Sequence, residues 1–537
     1  MYENTYLKSV LYQVPRILTQ LNRNRYSNSY GSFDRNFWHF KTNDISCARF
    51  QEAGKVLALL YVTKFKDNIY YQNDQIEEYI NACLNFCIDI QNSNGSYNEW
   101  YVNEGSYVCT SFVSEAIAEI LILLGKKKIK NYEKIIVSLK KSAQWLTSNE
   151  ELSVINQYAG SILALRKIYK LTKIKSFLLH ESQKLKKLLD LQDMQEGWWP
   201  EYGGPDIGYL SVTIDYLSEY YEICKSSKVL NSLKLSCDFI QNFLQPNYSA
   251  GGHYMSRNTE YLHPAGFARM VTKTTSAKKI LSFCNSALKK KMGIIPKNLD
   301  DRYLCYILSS WLKTGIILKS KNNLNVKKFF FKKNKYFSSS NIISYSDSNN
   351  YFNCNFQKGG SFIFFRKNKY YSDSGLKINF NKKKYSTGVI NNDLIIYKNH
   401  ERYSCRGYFS TISDQVMSTS LMIVFKLFQL IFGKFNFVQR CVKLVLRKKL
   451  ITFNKINKNI PFKRSVIISE YCIKIIDIIE SRFFHRIEVG DDSVYAQVPS
   501  SKIYFNNFAK INIKPLYKNR SLNNKDYTIV IRKINLN

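Results

Sequence analysis

The chain has no CxxC pair, six histidines in 537 residues, and nine prolines. It also lacks the run of about 18 uncharged apolar residues that a membrane-spanning helix needs. Each absence excludes something. The twelve cysteines are scattered singly. Cys83 and Cys87 lie one helical turn apart on an apolar face and have no second Cys or His pair to complete a metal site, so they read as core. No basic stretch leads into an apolar one at the N-terminus, which sets the expectation of a reducing cytoplasm with free thiols. Zinc-finger spacing, a helix-turn-helix with a basic recognition helix and an RNP-like strand are missing, so no specific nucleic-acid partner is expected. Acidic residues are scarce, 41 against 79 Lys and Arg, for a formal charge of +38.

That charge is uneven. Residues 1–300 hold 37 basic and 28 acidic residues, and residues 301–537 hold 42 and 13. A basic domain draws anionic membranes or acidic polymers. An AT-rich genome, which favours Lys, Asn, Ile, Tyr and Phe, produces the same composition. One segment bears on the membrane reading. Leu421–Gly433 is apolar apart from Lys426 and Gln429, with Lys434, Arg440, Lys443 and Arg447–Lys449 following. It fits peripheral membrane contact through 417–449, and it equally fits a packed piece of the second domain.

The length calls for two domains, and the periodicity divides them. After a polar, aromatic segment over 1–45, the period is helical from 46 to 320, with ten apolar stretches near 47–65, 75–91, 109–124, 132–147, 156–171, 176–191, 208–224, 228–243, 265–285 and 302–318. A basic linker over 321–335 follows. Beyond it the period shortens toward two, with strands expected at Ser361–Arg366, Leu376–Phe380, Val389–Tyr397, Lys463–Glu470, Lys474–Ile479, Arg482–Val489, Ser493–Val498, Ile511–Leu516 and Tyr527–Ile531. The expected architecture is an (α/α) toroid of helical hairpins over 46–320, then an antiparallel β-sandwich over 336–537 with a helical insertion near 415–450.

A loop pattern recurs in the helical half. Gly95-Ser-Tyr-Asn-Glu99-Trp100 has Tyr107 eight residues after its Glu, and Gly197-Trp-Trp-Pro-Glu201-Tyr202 has Tyr209 at the same distance. A looser copy is Gly251-Gly-His253-Tyr254 with Arg257-Asn258-Thr-Glu260-Tyr261. Repeated helix–loop–helix units stack or close into rings, gathering their loops on one face. Loops of Trp, Tyr, Glu and Arg suit a carbohydrate, since an aromatic face matches the C–H face of a pyranose.

A toroid followed by a β-sandwich resembles the heparinase II/III-like polysaccharide lyases, which act on alginate- and heparin-type polymers, and the chain looks like a divergent member. Gly197–Tyr209 resembles the segment in which these lyases place a catalytic tyrosine. Asn156-Gln157 resembles the place of their Asn-His pair, with Gln157 standing for the His. Lys358-Gly-Gly-Ser-Phe-Ile-Phe-Phe, followed by Asp373-Ser-Gly375, resembles the start of their β domain, but without the family's histidines, since that half holds His400 and His485 alone. The resemblance implies β-elimination on an acidic, uronate polysaccharide, with no cofactor. A glycan-binding or surface-polysaccharide assembly factor without catalysis, and a glycoside hydrolase using Glu99, Glu201 or Asp206, are the alternatives.

β-Elimination needs the substrate carboxylate neutralised, a base for the C5 proton and an acid for the leaving oxygen. Tyr209 is the candidate for proton transfer, with Arg257 or His253 favouring its phenolate, and Asn156 and Gln157 for carboxylate neutralisation. Trp38, His39, Trp100, Trp198, Glu201 and Asn258 are candidates for substrate binding. No residue set is assigned to a metal.

Overall fold

Fourteen helices occupy the first half of the chain in the computed structural model, which describes residues 2–319, 333–380, 383–412, 417–447, 455–480, 487–490, 508–522 and 525–536. Helices α1 (Tyr2–Leu11), α2 (Val14–Gln20) and α3 (Arg35–Phe40) come first. Then inner and outer helices alternate. The inner ones are α4 (Ala53–Val62), α6 (Tyr107–Leu124), α8 (Ile155–Thr172), α10 (Ile207–Cys224), α12 (Pro264–Met270) and α14 (Asp301–Leu318). Each packs on the next and α14 packs back on α4, so the ring is closed. The outer ones are α5 (Asp74–Asp89), α7 (Tyr132–Ser148), α9 (Lys175–Asp190), α11 (Ser227–Ile240) and α13 (Thr275–Lys290). The sixth outer place belongs to α1, which buries Tyr6 and Val10 and packs on α13 and α14.

The residues explain this division. An outer helix such as α13 buries Ile280, Leu281 and Cys284 and leaves Lys289 and Lys290 in water, the amphipathic pattern of a surface helix. Inner α6 is apolar nearly all round and 83% buried inside the ring; length and composition alone would also let it cross a membrane. Side chains of Ser106, Asp206 and Asp300 accept hydrogen bonds from Cys109, Tyr209 and Tyr303 N–H and so fix the starts of α6, α10 and α14.

The recurring Gly loops share one hydrogen-bond set. Gln91 Nε2 donates to Gly95 O, Ser138 O and Ser142 Oγ, and Gln192 Nε2 donates to Gly197 O, Ser232 O and Ser236 Oγ. Gln245 Nε2 likewise donates to Gly251 O. Gly95 and Gly197 have φ of +88° and +89°, and a Cβ on either would strike the backbone of Lys141 or Leu235 on the neighbouring outer helix. The repeat therefore clips each loop against an outer helix, which makes glycine obligatory there.

All six inner helices place charge on the ring axis. Lys167 Nζ meets Glu115 at 2.5 Å, Glu119 at 3.0 Å and Glu219; Lys55 meets Glu115 at 2.6 Å. Lys313 meets Glu119 at 2.7 Å and Glu219 at 2.8 Å, while Arg269 meets Asp215 at 2.7 Å and Glu219 at 2.8 Å.

The second half forms two sheets. The first has strands β1 (Lys333–Phe337), β2 (Ile342–Ser346), β3 (Asn350–Asn355), β4 (Ser361–Arg366) and β5 (Lys369–Asp373) as an antiparallel meander. The second runs through β6 (Lys377–Phe380), β7 (Lys383–Ser386), β9 (Arg402–Ile412), β10 (Ile456–Ile468), β11 (Cys472–Glu480), β15 (Lys525–Asn535) and β14 (Leu516–Leu522), with β8 (Ile395–Asn399) beside β9. The short β12 (Ile487–Glu488) extends it at β6, and β13 (Ala509–Lys510) adds in parallel to β5. Phe352, Cys354, Phe362 and Phe364 face the second sheet and pack with Cys405, Phe409, Phe462 and Ile475. Tyr351, Ile363 and Phe365 point the other way and join the core of the toroid. The first sheet is thus a middle layer, buried on both faces, which is why Ser361–Arg366 reads as continuously apolar.

Helices α15 (Thr419–Phe432) and α16 (Asn436–Leu446) leave the second sheet and lie on the toroid. Phe425 meets Tyr101 edge-on at 5.0 Å, Lys426 pairs with Asp44 at 3.3 Å, and Asn103 Nδ2 donates to Gln429 O. Arg440 donates to Ser148 O at 2.8 Å, and Lys443 and Arg447 pair with Glu151 at 2.6 and 2.5 Å.

The toroid, the sandwich and the insertion follow the sequence reading, with local corrections. Residues 1–45 are not a separate segment, because α1 completes the ring. The stretch 265–285 is two helices, broken where Thr274 caps α13. Ile511–Pro515 is irregular, and the strand begins at Leu516. Residues 320–332 of the basic linker, most of Arg482–Val489 with His485, and Ser493–Val498 lie outside the described residues.

Candidate active site

The inner helices all run in one sense, since one outer helix separates each from the next. Their N-termini and preceding loops therefore meet at one mouth of the ring. Asp206 organises it. Its Oδ1 accepts the Tyr209 N–H at 3.2 Å and the Thr259 hydroxyl, and its Oδ2 accepts the Arg257 N–H at 3.0 Å. One carboxylate thus caps α10 and draws the 257–259 loop onto its first turn.

Arg257 sits between two tyrosines. Its guanidinium lies 4.4 Å from the Tyr202 ring centroid and interacts with the Tyr209 phenol. Its buried Nε has no hydrogen-bond partner among the described residues. Burial pushes the Tyr209 phenol well above its ordinary range, and Arg257 opposes that shift without cancelling it. The phenol is neutral at rest, whereas the sequence led to a cation-favoured phenolate. Asn258 is 2% exposed in a left-handed conformation (φ +56°), and its Oδ1 has no partner among the described residues.

Asn156 opens α8 under the hold of Glu201. The Glu201 carboxylate accepts the Asn156 backbone N–H at 2.8 Å and side-chain amide at 3.0 Å, and burial raises its pKa well above the usual carboxylate range. Tyr202, at φ +56°, donates its N–H to Ser153 O and turns its ring between Arg257 and Arg447, the latter at 5.7 Å. Arg447 and Ser153 line an open cleft of about 530 Å³ beneath α16, together with Tyr107, Trp145, Glu151 and Lys443. A continuous series leads from this cleft through Tyr202 and Arg257 to Tyr209.

The other candidates separate. Gln157 is half-buried in the first turn of α8. His253 is 3% exposed in the seam between the domains, its Nε2 against Phe362 O at 2.9 Å, so packing against the sheet is its observed role and Arg257 is the cation facing Tyr209. Trp198 donates to Glu196, which also holds Ser339 and Ser340 of the β domain. Trp100 is exposed at the mouth, with the Arg302 guanidinium 4.6 Å from its ring and Arg302 paired to Glu99 at 2.9 Å. Trp38 donates to Gln20 O, and His39 is exposed beside Phe40 on α3; their packing is on α2 and α5, away from Tyr209. Tyr107 and Tyr209 share a spacing but not a role: Tyr107 is the first residue of its helix and bonds Ser161, whereas Tyr209 is the third.

Residues without a local sequence signal complete the mouth. Arg447 comes from the helical insertion, and Lys358 of the β domain donates to His253 O at 2.7 Å and Met255 O at 2.5 Å. Burial pushes the Lys358 amine down to about 7. On the ring axis, oxygens of Glu115, Glu119 and Glu219 lie within 4.8 Å of one another, but Lys55, Lys167 and Lys313 already pair with them, leaving no carboxylate for a metal.

No known protein family and no curated protein matches the chain by sequence. Among solved structures, a chondroitin AC lyase from Streptomyces coelicolor A3, in complex with chondroitin sulphate, matches with a TM-score of 0.54 over 99% of this chain and 77% of that one, at 7% identity. A heparan sulfate lyase from Pedobacter heparinus matches at 0.45 over 98% and 80%, with 10% identity, and a heparinase III at 0.46 over 97% and 91%, with 11% identity. The chondroitin lyase establishes the fold: this chain has the toroid and antiparallel β domain of a polysaccharide lyase.

Proposed function

We propose that the chain is a divergent relative of the heparinase II/III-type lyases, taking an acidic, uronate-containing polysaccharide across the mouth of the toroid and cleaving it by β-elimination. The observation that carries the reading is Arg257, seated between Tyr202 and Tyr209 with its Nε unspent. A guanidinium in that position pairs with the sugar carboxylate. Asn156, held at its amide by Glu201, adds a neutral hydrogen-bonding group where enolate charge develops. Tyr209, as phenolate, takes the C5 proton; the C4–oxygen bond breaks, a C4–C5 double bond forms, and the phenol returns the proton to the leaving oxygen.

Purified protein is to be incubated with uronate polysaccharides and with a neutral polymer. The expected result is a product absorbing in the ultraviolet from the uronates alone, because only they carry the carboxylate that acidifies C5. A new reducing end without that absorbance would identify a hydrolase instead. Glu201 and Asp206 speak against that outcome, each being buried and occupied by hydrogen bonds to its neighbours. One observation favours glycan binding without catalysis: the neutral, buried Tyr209 phenol. Binding of uronate polymers with no product at any pH would establish that second reading.

A further inference from the structure

The helical pair α15–α16 is built inside out. In α15 the buried residue is Gln429, at 1% exposure, and Lys426 turns to Asp44, while Ile423, Val424, Leu427 and Ile431 stand 55–62% exposed. In α16, Gln439 is buried at 6%, while Phe437 and Leu444 are 76% and 64% exposed. A surface helix of a water-soluble protein does the reverse, setting its apolar stripe on the core. Here the polar face is spent on the toroid and the apolar face is left outward.

The form of that face identifies what covers it. Residues 421–424 are all exposed, and at about 100° per residue they go round most of the helix. A groove in a protein accepts one stripe; an apolar medium accepts every direction. Residues 417–447 carry Lys426, Lys434, Arg440, Lys443 and Arg447 and no Asp or Glu, and Lys434 is exposed where the two helices meet. With 14 residues, α15 is about 21 Å long, short of the roughly 30 Å hydrocarbon layer, so it lies along a bilayer rather than through it. We propose that α15–α16 seats this protein on an anionic lipid bilayer, with its apolar side chains at the acyl boundary and its cations among the headgroups. The proposal is independent of the activity at the mouth.

The test is flotation of the full chain with vesicles of phosphatidylcholine alone and of phosphatidylcholine mixed with phosphatidylglycerol. The protein is expected to float with the mixed vesicles, to float far less with the neutral ones, and to be released by high salt. Leu427→Asp with Ile431→Asp should abolish flotation while the circular dichroism spectrum and melting temperature stay unchanged, since both side chains are exposed. Lys434→Ala should weaken partitioning about fivefold. Failure to float with either vesicle, or flotation of the double variant equal to that of the parent, overturns the proposal. So does a concentration-dependent dimer in solution that the double variant dissociates, because the face would then belong to a second copy of the chain.

Discussion

Glu201 accepts two hydrogen bonds from one residue, Asn156, at its backbone N–H and at its side-chain amide. The pair joins the loop before α10 to the start of α8, two segments 45 residues apart. Glu201→Gln presents an amide N–H₂ where one of these donors points. Removing a buried bond to a charged acceptor costs about 1.5–3 kcal/mol. The expected outcome is a fall of that size in urea unfolding, with no change of fold by circular dichroism.

Tyr209→Phe should remove elimination and retain polymer binding. Only a hydroxyl is lost, and general acid–base catalysis is worth roughly 10²–10⁴-fold. Initial rates from ultraviolet absorbance, with binding measured calorimetrically, separate the two effects.

The same phenol predicts a pH profile. Its pKa is raised by burial, so the reactive phenolate is a minor form at neutral pH. The turnover rate should therefore rise about tenfold per pH unit on the alkaline side of neutrality, as the phenolate fraction does. A flat profile over that range would remove Tyr209 from the proton transfer.

Lys358 makes the domain seam sensitive to pH. Its folded pKa of about 7 lies below the unfolded lysine value. Between the two, the unfolded chain holds the proton and the folded chain does not, so this residue's contribution makes unfolding harder as pH rises, by at most about 1.4 kcal/mol per unit. Below pH 7 both states are protonated and the penalty is constant. Chemical denaturation of the parent and of Lys358→Met from pH 7 to 10 should show the steeper rise in the parent.

Lys167→Met leaves Glu115, Glu119 and Glu219 crowded with one ammonium fewer. Breaking a buried ion pair by removing one partner costs about 3–5 kcal/mol. The variant should unfold at clearly lower denaturant, and addition of Glu115→Leu should recover part of the loss.

Much of the fold is legible in the sequence because its signals are local. Apolar residues at helical spacing mark each ring helix, and the shift to a period of two marks the sandwich. The break at residues 271–274 escapes notice because it contains neither Gly nor Pro. Strands β1–β3 escape because both their faces are buried or seam-bound, which erases alternation. At the mouth, Tyr209, Arg257, Asn156 and Glu201 come together as their loop repeat implies, although the repeated Gly and Gln prove to be clips for backbone. Arg447 and Lys358 reach the mouth from 100 or more residues away, and no spacing announces that. His253 looks equivalent to its neighbours in sequence, yet the sheet claims it.

The ion pairs on the ring axis turn the toroid into a well rather than a pipe. Lys55, Lys167, Lys313 and Arg269 fill the bore with their carboxylate partners and leave beside them a space of about 20 Å³, enough for a water molecule and too small for a sugar. A polymer cannot thread such a ring. It must lie across the rim like a rope over a wellhead, both ends free, and its length places no limit on where it is gripped. Cutting of that kind falls in mid-chain from the first moments, so solution viscosity would drop long before small oligosaccharides accumulate.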